Sequence, residues 1–136
     1  MGWVALVVED DPLLQAEMVR RLREAGYGVL TAFDYAGAVR LLSCRRPDVA
    51  CIDLGLPTQS GYELCEHIRA RRDLHTLPIL VTSDHTFPED MAHAEEAGAN
   101  AFLKKPFKMK KLLHYVGALV DGPPVSRNDM RTLRLA

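Results

Sequence analysis

Short apolar runs alternate with longer amphipathic stretches along the chain. The run at 49–53, Val-Ala-Cys-Ile-Asp, is too short for a helix and is bounded by polar and turn-forming residues. In the stretches between such runs, apolar residues recur at intervals of three and four, which indicates helices with one buried face. The pattern predicts strands at 3–8, 28–32, 49–53, 77–82 and 101–104. It predicts helices at 12–25, 35–42 or 35–44, 62–71, 88–97 and 108–120.

Turn and cap residues mark several of these boundaries. Asp11 suits the N-cap of the first helix and Pro12 its first position, where no amide hydrogen bond is needed. Asp34 can cap the second helix in the same way. Gly26 and Gly98 suit the end of a helix, where left-handed backbone is common. The local signals therefore agree with the hydrophobic pattern.

Five strand-then-helix units in succession predict the fold class. Strands joined by helical crossovers pair in parallel, and a sheet of buried strands carries helices on both faces. Right-handed crossovers and short connections favour the strand order 2-1-3-4-5. We therefore predict an α/β fold, a (βα)5 doubly wound, flavodoxin-like parallel sheet in which the first and third strands are neighbours.

Length and composition narrow the functional classes. The 136 residues suffice for one core, and the hydrophobic fraction of 48% is ordinary for a globular protein. We predict a domain at 1–121 and a C-terminal tail or linker stub at 122–136. The net charge of −1 gives no support for direct nucleic-acid or membrane binding. No apolar run reaches the ~20 residues of a membrane span, and the arginines near the end of the third helix are expected to be solvated.

The cysteines Cys44, Cys51 and Cys65 do not suggest a metal or redox site. Their number is odd, no two have the C-x-x-C spacing, and their neighbours are largely apolar. We predict reduced, packed thiols in a cytoplasmic protein. The first three residues lack a basic region and lead directly into a strand, so a signal peptide is not expected.

Acidic residues stand at the ends of the first and third predicted strands. Glu9, Asp10 and Asp11 follow the first strand, and Asp53 ends the third. Neighbouring parallel strands end at the same edge of a sheet, where open α/β sheets place their sites, so these side chains are expected to converge. We assign Asp11 to the helix cap. Glu9, Asp10 and Asp53 would repel one another without a cation, and a few carboxylate ligands suit Mg²⁺.

Polar residues at two other strand ends are candidates for the same site. Lys105 follows the fifth strand and would place its ammonium group over the carboxylates, and its peptide bond to the next residue, a proline, can be cis. Thr82 ends the fourth strand, where its hydroxyl can reach a phosphoryl group on Asp53. Phe102, within the fifth strand, is expected in the core. The remaining lysines are expected to be solvated: Lys104, Lys108, Lys110 and Lys111.

Together these segments resemble the CheY-like receiver domains of two-component response regulators. The resemblance covers about residues 3–120. It rests on four motifs in order: VVEDDP at 7–12, DLGLP at 53–57 with Gly61, Thr82–Ser83, and FLKKPF at 102–107.

The resemblance implies a phosphorylation switch and no enzymatic activity beyond self-phosphorylation and autodephosphorylation. Asp53 would accept a phosphoryl group from a histidine kinase or phosphotransfer protein. Asp10 and Asp53 would bind Mg²⁺ directly and Glu9 through water, and the Gly55 carbonyl would supply a backbone ligand.

The resemblance also implies how the signal would leave the site. Thr82 and Lys105 would bind phosphoryl oxygens, and the new charge would pull Thr82 inward. Phe102 would then rotate inward and alter the surface formed by the fourth helix, fifth strand and fifth helix. The output would pass to a downstream protein or to an output domain missing from this chain.

Five residues bear on what the resemblance implies for this chain. Glu9 stands where aspartate is commoner, and Phe102 stands where tyrosine is often found. Asn100–Ala101 lacks the acidic residues that one subfamily of transcription factors uses for dimer salt bridges, so that dimer is not expected. Asp84, two residues past Thr82, is expected to affect the lifetime of an aspartyl phosphate.

Three alternative functions compete with this one. A phosphatase with an aspartate nucleophile would carry D-x-D after the first strand, where this chain has Glu9–Asp10–Asp11. A flavin-binding module would need a Ser/Thr/Gly-rich phosphate loop there, and three acids would repel a phosphate. A phosphate-independent pseudo-receiver that acts as an interaction scaffold is the main alternative, because a complete site does not prove turnover.

Overall fold

The computed structural model describes residues 2–121, in which five strands alternate with five helices. The predicted tail at 122–136 lies outside the described residues. The elements are β1 (Val4–Val8), α1 (Pro12–Glu24), β2 (Gly28–Ala32), α2 (Tyr35–Leu42), β3 (Val49–Asp53), α3 (Gly61–Ala70), β4 (Ile79–Ser83), α4 (Pro88–Ala97), β5 (Ala101–Lys104) and α5 (Met109–Asp121).

The five strands form one parallel sheet in the order β2-β1-β3-β4-β5, which confirms the predicted α/β fold and strand order. Val8 at the end of β1 pairs with Ile52 of β3, and Asp53 pairs with Thr82 of β4. The carboxyl ends of β1, β3 and β4 therefore lie side by side.

Two apolar clusters cover the two faces of the sheet. One joins α2, α3 and α4 to the strands through residues such as Leu42, Leu64 and Ala94. The other joins α1 and α5 to the opposite face through Met18 and Val116, among others. β3 is buried along its whole length between these clusters, so the position of its last residue is held from both sides.

The predicted caps are present. The Asp11 carboxylate accepts hydrogen bonds from the amides of Leu13 (3.0 Å) and Leu14 (3.4 Å) at the start of α1. Asp34 accepts one from the Gly37 amide (2.8 Å) at the start of α2. Gly98 follows α4 with φ of 108°, a conformation that favours glycine.

Several element bounds differ from the prediction by one or two residues. β4 covers 79–83 rather than 77–82, because Ser83 pairs with Lys104 of β5 and Pro78 has no amide to donate. The Leu77 carbonyl instead accepts a hydrogen bond from Arg69 Nη1 (2.7 Å). β1 begins at 4, α1 and α3 end one residue earlier than predicted, and α5 begins and ends one residue later.

The expectation of solvated arginines near the end of α3 is wrong for two of them. Arg69 donates to the Gly98 carbonyl (3.0 Å) and to Asn100 Oδ1 (2.8 Å). Arg71 donates to the Leu42 carbonyl (2.9 Å). These arginines satisfy backbone and side-chain acceptors where elements end, so they hold α3 to its neighbours.

The cysteine prediction is correct at two positions and wrong at one. Cys51 and Cys65 are buried, and burial raises the pKa of each thiol to about 12. Cys44 is exposed because it lies two residues past Leu42, the last buried residue of α2. Among residues 2–121, no helix has the length and apolar character needed to cross a bilayer.

Candidate functional site

The carboxyl ends of β1 and β3 bring three acids together. One oxygen from each of Glu9, Asp10 and Asp53 lies within 4.8 Å of the others. Glu9 and Asp53 are buried, whereas Asp10 is exposed. The site therefore combines two desolvated carboxylates with one that faces solvent.

Glu9 is held through its backbone and both side-chain oxygens. Its amide donates to the Ala32 carbonyl (3.1 Å), and Gln15 Nε2 donates to the carbonyls of Glu9 (3.2 Å) and Ala32 (2.9 Å). The Asp11 amide donates to Glu9 Oε2 (3.2 Å). Lys105 Nζ donates to the same Oε2 (3.3 Å), and the buried Oε1 forms an ion pair with that ammonium group at 3.0 Å. A carboxylate in this position can also accept from a water bound to a cation.

Lys105 places its ammonium group between the two buried carboxylates. Its Nζ lies 3.0 Å from Glu9 Oε1 and 3.3 Å from Asp53 Oδ1. The Lys105 amide donates to the Ser83 carbonyl (2.8 Å), which fixes the residue directly after β5. The lysine thereby offsets the repulsion between the two acids.

Asp53 is held by β3 and by the loop after it. The Gly55 amide donates to Asp53 Oδ1 (3.0 Å). The Leu54 amide donates to the Thr82 carbonyl (2.9 Å), which extends the pairing of β3 with β4 past Asp53. Thr82 itself is 1% exposed and lies beside Asp53 in this pairing. Its predicted contact with a phosphoryl oxygen stays a prediction.

Burial dominates the electrostatics of both acids. It raises the pKa of Glu9 to about 7; the Lys105 and Asp11 donors oppose the rise, and the Asp53 charge adds to it. Burial also raises the pKa of Asp53, against hydrogen bonds from the Gly55 amide and Lys105 that lower it. Near pH 7 and without a metal, the Glu9 carboxyl is therefore protonated in about half of the molecules.

A cavity of about 480 Å³ opens over these groups. Asp84, on the loop after β4, also lines it. The apolar part of its wall consists of Leu14, Pro106 and Phe107. Carboxylates, one ammonium group and an open mouth suit the binding of a cation and a small phosphorylated group.

The sequence-family model of the response regulator receiver domain matches residues 5–117 of this chain. The chain belongs to the receiver domain family. It is 36% identical over 141 residues to the transcriptional regulatory protein KdpE of Mycobacterium tuberculosis H37Rv, in an alignment that covers 98% of this chain. The chain spans only 61% of the length of KdpE.

Solved structures of receiver domains agree with this assignment. A response regulator from Chloroflexus aurantiacus superposes with a TM-score of 0.85 at 31% identity, covering 90% of this chain and all of that one. The receiver domain of sensor histidine kinase PA1611 from Pseudomonas aeruginosa PAO1 gives 0.82 at 31% identity, over 90% and 100% of the two chains. That domain has a magnesium ion coordinated in its active site cleft. The chain is thus a receiver domain rather than a classical enzyme.

Phe102 lies apart from the cavity of this receiver domain. Its ring is 2% exposed and belongs to the cluster that packs α2, α3 and α4 against the sheet. The expected core position is therefore correct. The resemblance implies that Phe102 rotates inward on phosphorylation, but in this structure its side chain is already buried.

Two further residues of the site have no role predicted from the sequence. Gln15 lies on the buried face of α1 with Met18 and Leu22, and a polar residue within that apolar stripe was the available signal. Phe107 lines the cavity from the loop between β5 and α5, for which no periodic pattern exists.

Gly61 is essential to the backbone that carries Asp53. A Cβ at Gly61 would lie 2.3 Å from the Asp53 carbonyl oxygen and 2.7 Å from Leu54 Cα. Because backbone cannot yield as a side chain can, we expect Gly61→Ala to lower the free energy of unfolding by about 2 kcal/mol or more, measured by urea denaturation.

Gly117→Ala provides the matched control. Gly117 lies within α5, and a Cβ there would meet no atom within 4 Å. Alanine at that position is expected to raise the free energy of unfolding by about 0.5–1 kcal/mol. A Gly61→Ala protein as stable as wild type would show that the loop after β3 moves without cost.

Proposed function

We propose that this receiver domain accepts a phosphoryl group on Asp53 from a histidine kinase or phosphotransfer protein. The observation that carries the proposal is the buried Asp53 carboxylate at the cavity, 3.3 Å from Lys105 Nζ and beside two further acids. The Gly55 amide and Lys105 both contact Oδ1, which leaves Oδ2 as the attacking oxygen. Its bond to phosphorus forms as the bond from phosphorus to the donor imidazole nitrogen breaks.

The donor set fits Mg²⁺. Asp10 and Asp53 would bind it directly, Glu9 through water, and the Gly55 carbonyl would complete the protein ligands. The three clustered acids, of which Glu9 and Asp53 are buried, support this assignment. Bound Mg²⁺ supplies positive charge that stabilises the transferring phosphoryl group.

Lys105 and Thr82 would hold the phosphoryl group once it is attached. Lys105 is already placed against Asp53, and Thr82 neighbours Asp53 across β3 and β4. The added charge would act on Thr82 and on the loop that leads into α4. Because α4 contacts the core mainly through the small residues Ala94 and Ala97, it can shift at low cost.

The surface formed by α4, β5 and α5 would carry the signal onward. With the Phe102 ring already buried, we infer that the response lies in α4 and its preceding loop rather than in a ring rotation. We propose a domain at 1–121 joined to a tail or linker at 122–136, with output to a downstream protein or a further domain. The cytoplasmic location stays a prediction.

Mg²⁺ binding should release protons. The pKa of Glu9 is raised by burial to about 7 without metal, and Glu9 must be charged to help bind a cation. We expect release of about half a proton per Mg²⁺ at pH 7, and an apparent affinity that falls up to about tenfold per pH unit below that value.

Calorimetric titration in buffers of different ionisation enthalpy measures this proton release. Glu9→Gln removes the Glu9 carboxylate, so its proton release and the pH dependence of its affinity should both be weaker than in the wild type. A wild-type affinity that stays constant from about pH 6 to 8 would contradict the coupling of Glu9 to the metal.

Asp84 is expected to influence how long the phosphoryl group persists. It is exposed and lines the cavity through which water reaches Asp53. We expect Asp84→Ala to change the lifetime of the aspartyl phosphate, followed by intact mass after removal of the donor. A lifetime equal to that of wild type would remove this role.

The direct test of the proposed function is intact-mass analysis after incubation with acetyl phosphate. With Mg²⁺ we expect one added phosphoryl group, mapped to Asp53 by peptide analysis, and with EDTA we expect none. No adduct with acetyl phosphate, together with no binding of a beryllofluoride mimic, would favour a phosphate-independent scaffold.

A further inference from the structure

A basic groove lies between the end of β5 and the start of α5. Its volume is about 670 Å³, larger than that of the acidic cavity. Among residues 2–121, none that lines it is acidic. Its apolar floor includes Pro106 and Phe107. Four exposed lysines line it: Lys104, Lys108, Lys110 and Lys111.

Lysine is confined to this part of the chain. All five lysines lie between residues 104 and 111, and the remaining basic side chains outside histidine are arginines. Lys105 points into the acidic cavity. The four groove lysines form no salt bridge with any residue in 2–121. The groove therefore holds four positive charges that no ion pair within residues 2–121 neutralises.

Two of these lysines oppose the helix that carries them. Lys110 and Lys111 lie in the first turn of α5, which contains no acidic residue. The positive end of the helix dipole lies there, so added positive charge is unfavourable. α4, in contrast, has Glu89 and Asp90 in its first turn. A cluster that disfavours its own helix indicates that its charges serve a partner.

We propose that this groove binds an acidic protein segment that carries an apolar side chain. Carboxylates of the segment would pair with the lysines and also complement the start of α5. The apolar side chain would pack on Phe107 and Pro106. The proposal names the kind of output partner, and only a change of its affinity on phosphorylation rests on the proposed function.

Charge argues against two other occupants of the groove, a nucleic acid and the chain's own segment at 122–136. Pro106 and Phe107 line both the groove and the acidic cavity, so a nucleic acid across the groove would approach Glu9, Asp10 and Asp84. The chain's own segment at 122–136 contains three arginines and one aspartate, so its charge does not complement the groove.

Selection from a displayed library of random peptides of about 12 residues tests the proposal. The target is the full chain, unphosphorylated, and separately in its beryllofluoride form. Selected peptides are then titrated by fluorescence anisotropy against two triple variants. One is Lys108→Gln/Lys110→Gln/Lys111→Gln in the groove. The other, Arg23→Gln/Arg45→Gln/Arg72→Gln, makes the same charge change at exposed positions elsewhere.

The proposal predicts enrichment of peptides rich in Asp and Glu with an aromatic or aliphatic residue. Their affinity should fall about tenfold or more for the lysine variant and stay within about twofold for the arginine variant. Equal loss in both variants, neutral peptides, or no enrichment would overturn it. So would tighter binding of a short DNA duplex to the groove.

Two further measurements distinguish peptide binding in the groove from self-association and from phosphorylation at Asp53. Sedimentation velocity reports self-association, and a dimer that the lysine variant abolishes would make a second copy the occupant and overturn the proposal. Acetyl phosphate labelling of the lysine variant reports the site at Asp53 independently. Peptide binding without any phosphorylation would retain the groove proposal and reject the proposed function.

Discussion

Asp53→Asn is expected to abolish phosphorylation by acetyl phosphate. Asparagine keeps the shape of the side chain and can still accept the Gly55 amide hydrogen bond, but its amide is not a nucleophile. It also removes one of three carboxylates from the proposed Mg²⁺ site, so magnesium affinity should fall as well. Intact mass under conditions that label the wild type completely is the measurement.

Asp34→Asn is the matched control for this substitution. Asp34 caps α2 through the Gly37 amide, and asparagine caps helices about equally well. This variant should be phosphorylated like the wild type. Full labelling of Asp53→Asn would instead place the acceptor on another acid of the cavity, such as Asp10 or Asp84.

Lys105→Met is expected to slow phosphorylation by acetyl phosphate about 100-fold, the loss typical when a fixed donor is removed from a site of developing charge. Its Nζ lies 3.3 Å from the Asp53 carboxylate, so it is placed to bind the phosphoryl oxygens that Asp53 acquires. Methionine keeps the length and apolar stem of the side chain, which confines the change to the charge. Single-turnover labelling rates measure the effect.

The same substitution should make stability depend more strongly on pH. Lys105 lowers the pKa values of Glu9 and Asp53, so its loss raises both further. An acid whose pKa is higher in the folded state holds its proton more tightly there, so stability falls as pH rises through that interval. For Glu9 the interval runs from 4.5 to about 7 in the wild type and extends higher in the variant.

The free energy of unfolding should therefore differ more between wild type and Lys105→Met at about pH 8 than at about pH 6, by about 1.4 kcal/mol for each unit of pKa rise in Glu9. Urea denaturation in EDTA measures the difference. Lys104→Met, at an exposed neighbour outside the acidic cavity, should leave both the labelling rate and this pH dependence unchanged. A pH-independent difference for Lys105→Met would show that Lys105 does not stabilise the buried acids.

Local signals in the sequence were sufficient for the architecture. Short apolar runs and helical spacing identified all ten elements, and the Asp11 and Asp34 caps are present. The strand order followed from the rules that govern parallel crossovers. These features depend on neighbours along the chain and on general chirality, both of which a single sequence contains.

Boundaries and surface assignments were less predictable because they depend on what each residue meets after folding. The sequence predicts that Arg69 and Arg71 are solvated, yet they donate hydrogen bonds to carbonyl and amide oxygens of neighbouring segments. The sequence predicts a packed Cys44, yet this residue is exposed because the chain leaves the core after Leu42. Composition does not reveal which acceptors lack partners when elements end.

By itself the sequence determined which side chains stand at the strand ends, and hence that acids would gather beside a lysine. Only the tertiary structure decided that Glu9 is buried and that Lys105 lies between Glu9 and Asp53. It alone showed that the lysines expected to be solvated line a groove of their own. The reason is physical: periodicity places a residue on an element, whereas burial, pKa and pairing arise from distances between elements far apart in the chain.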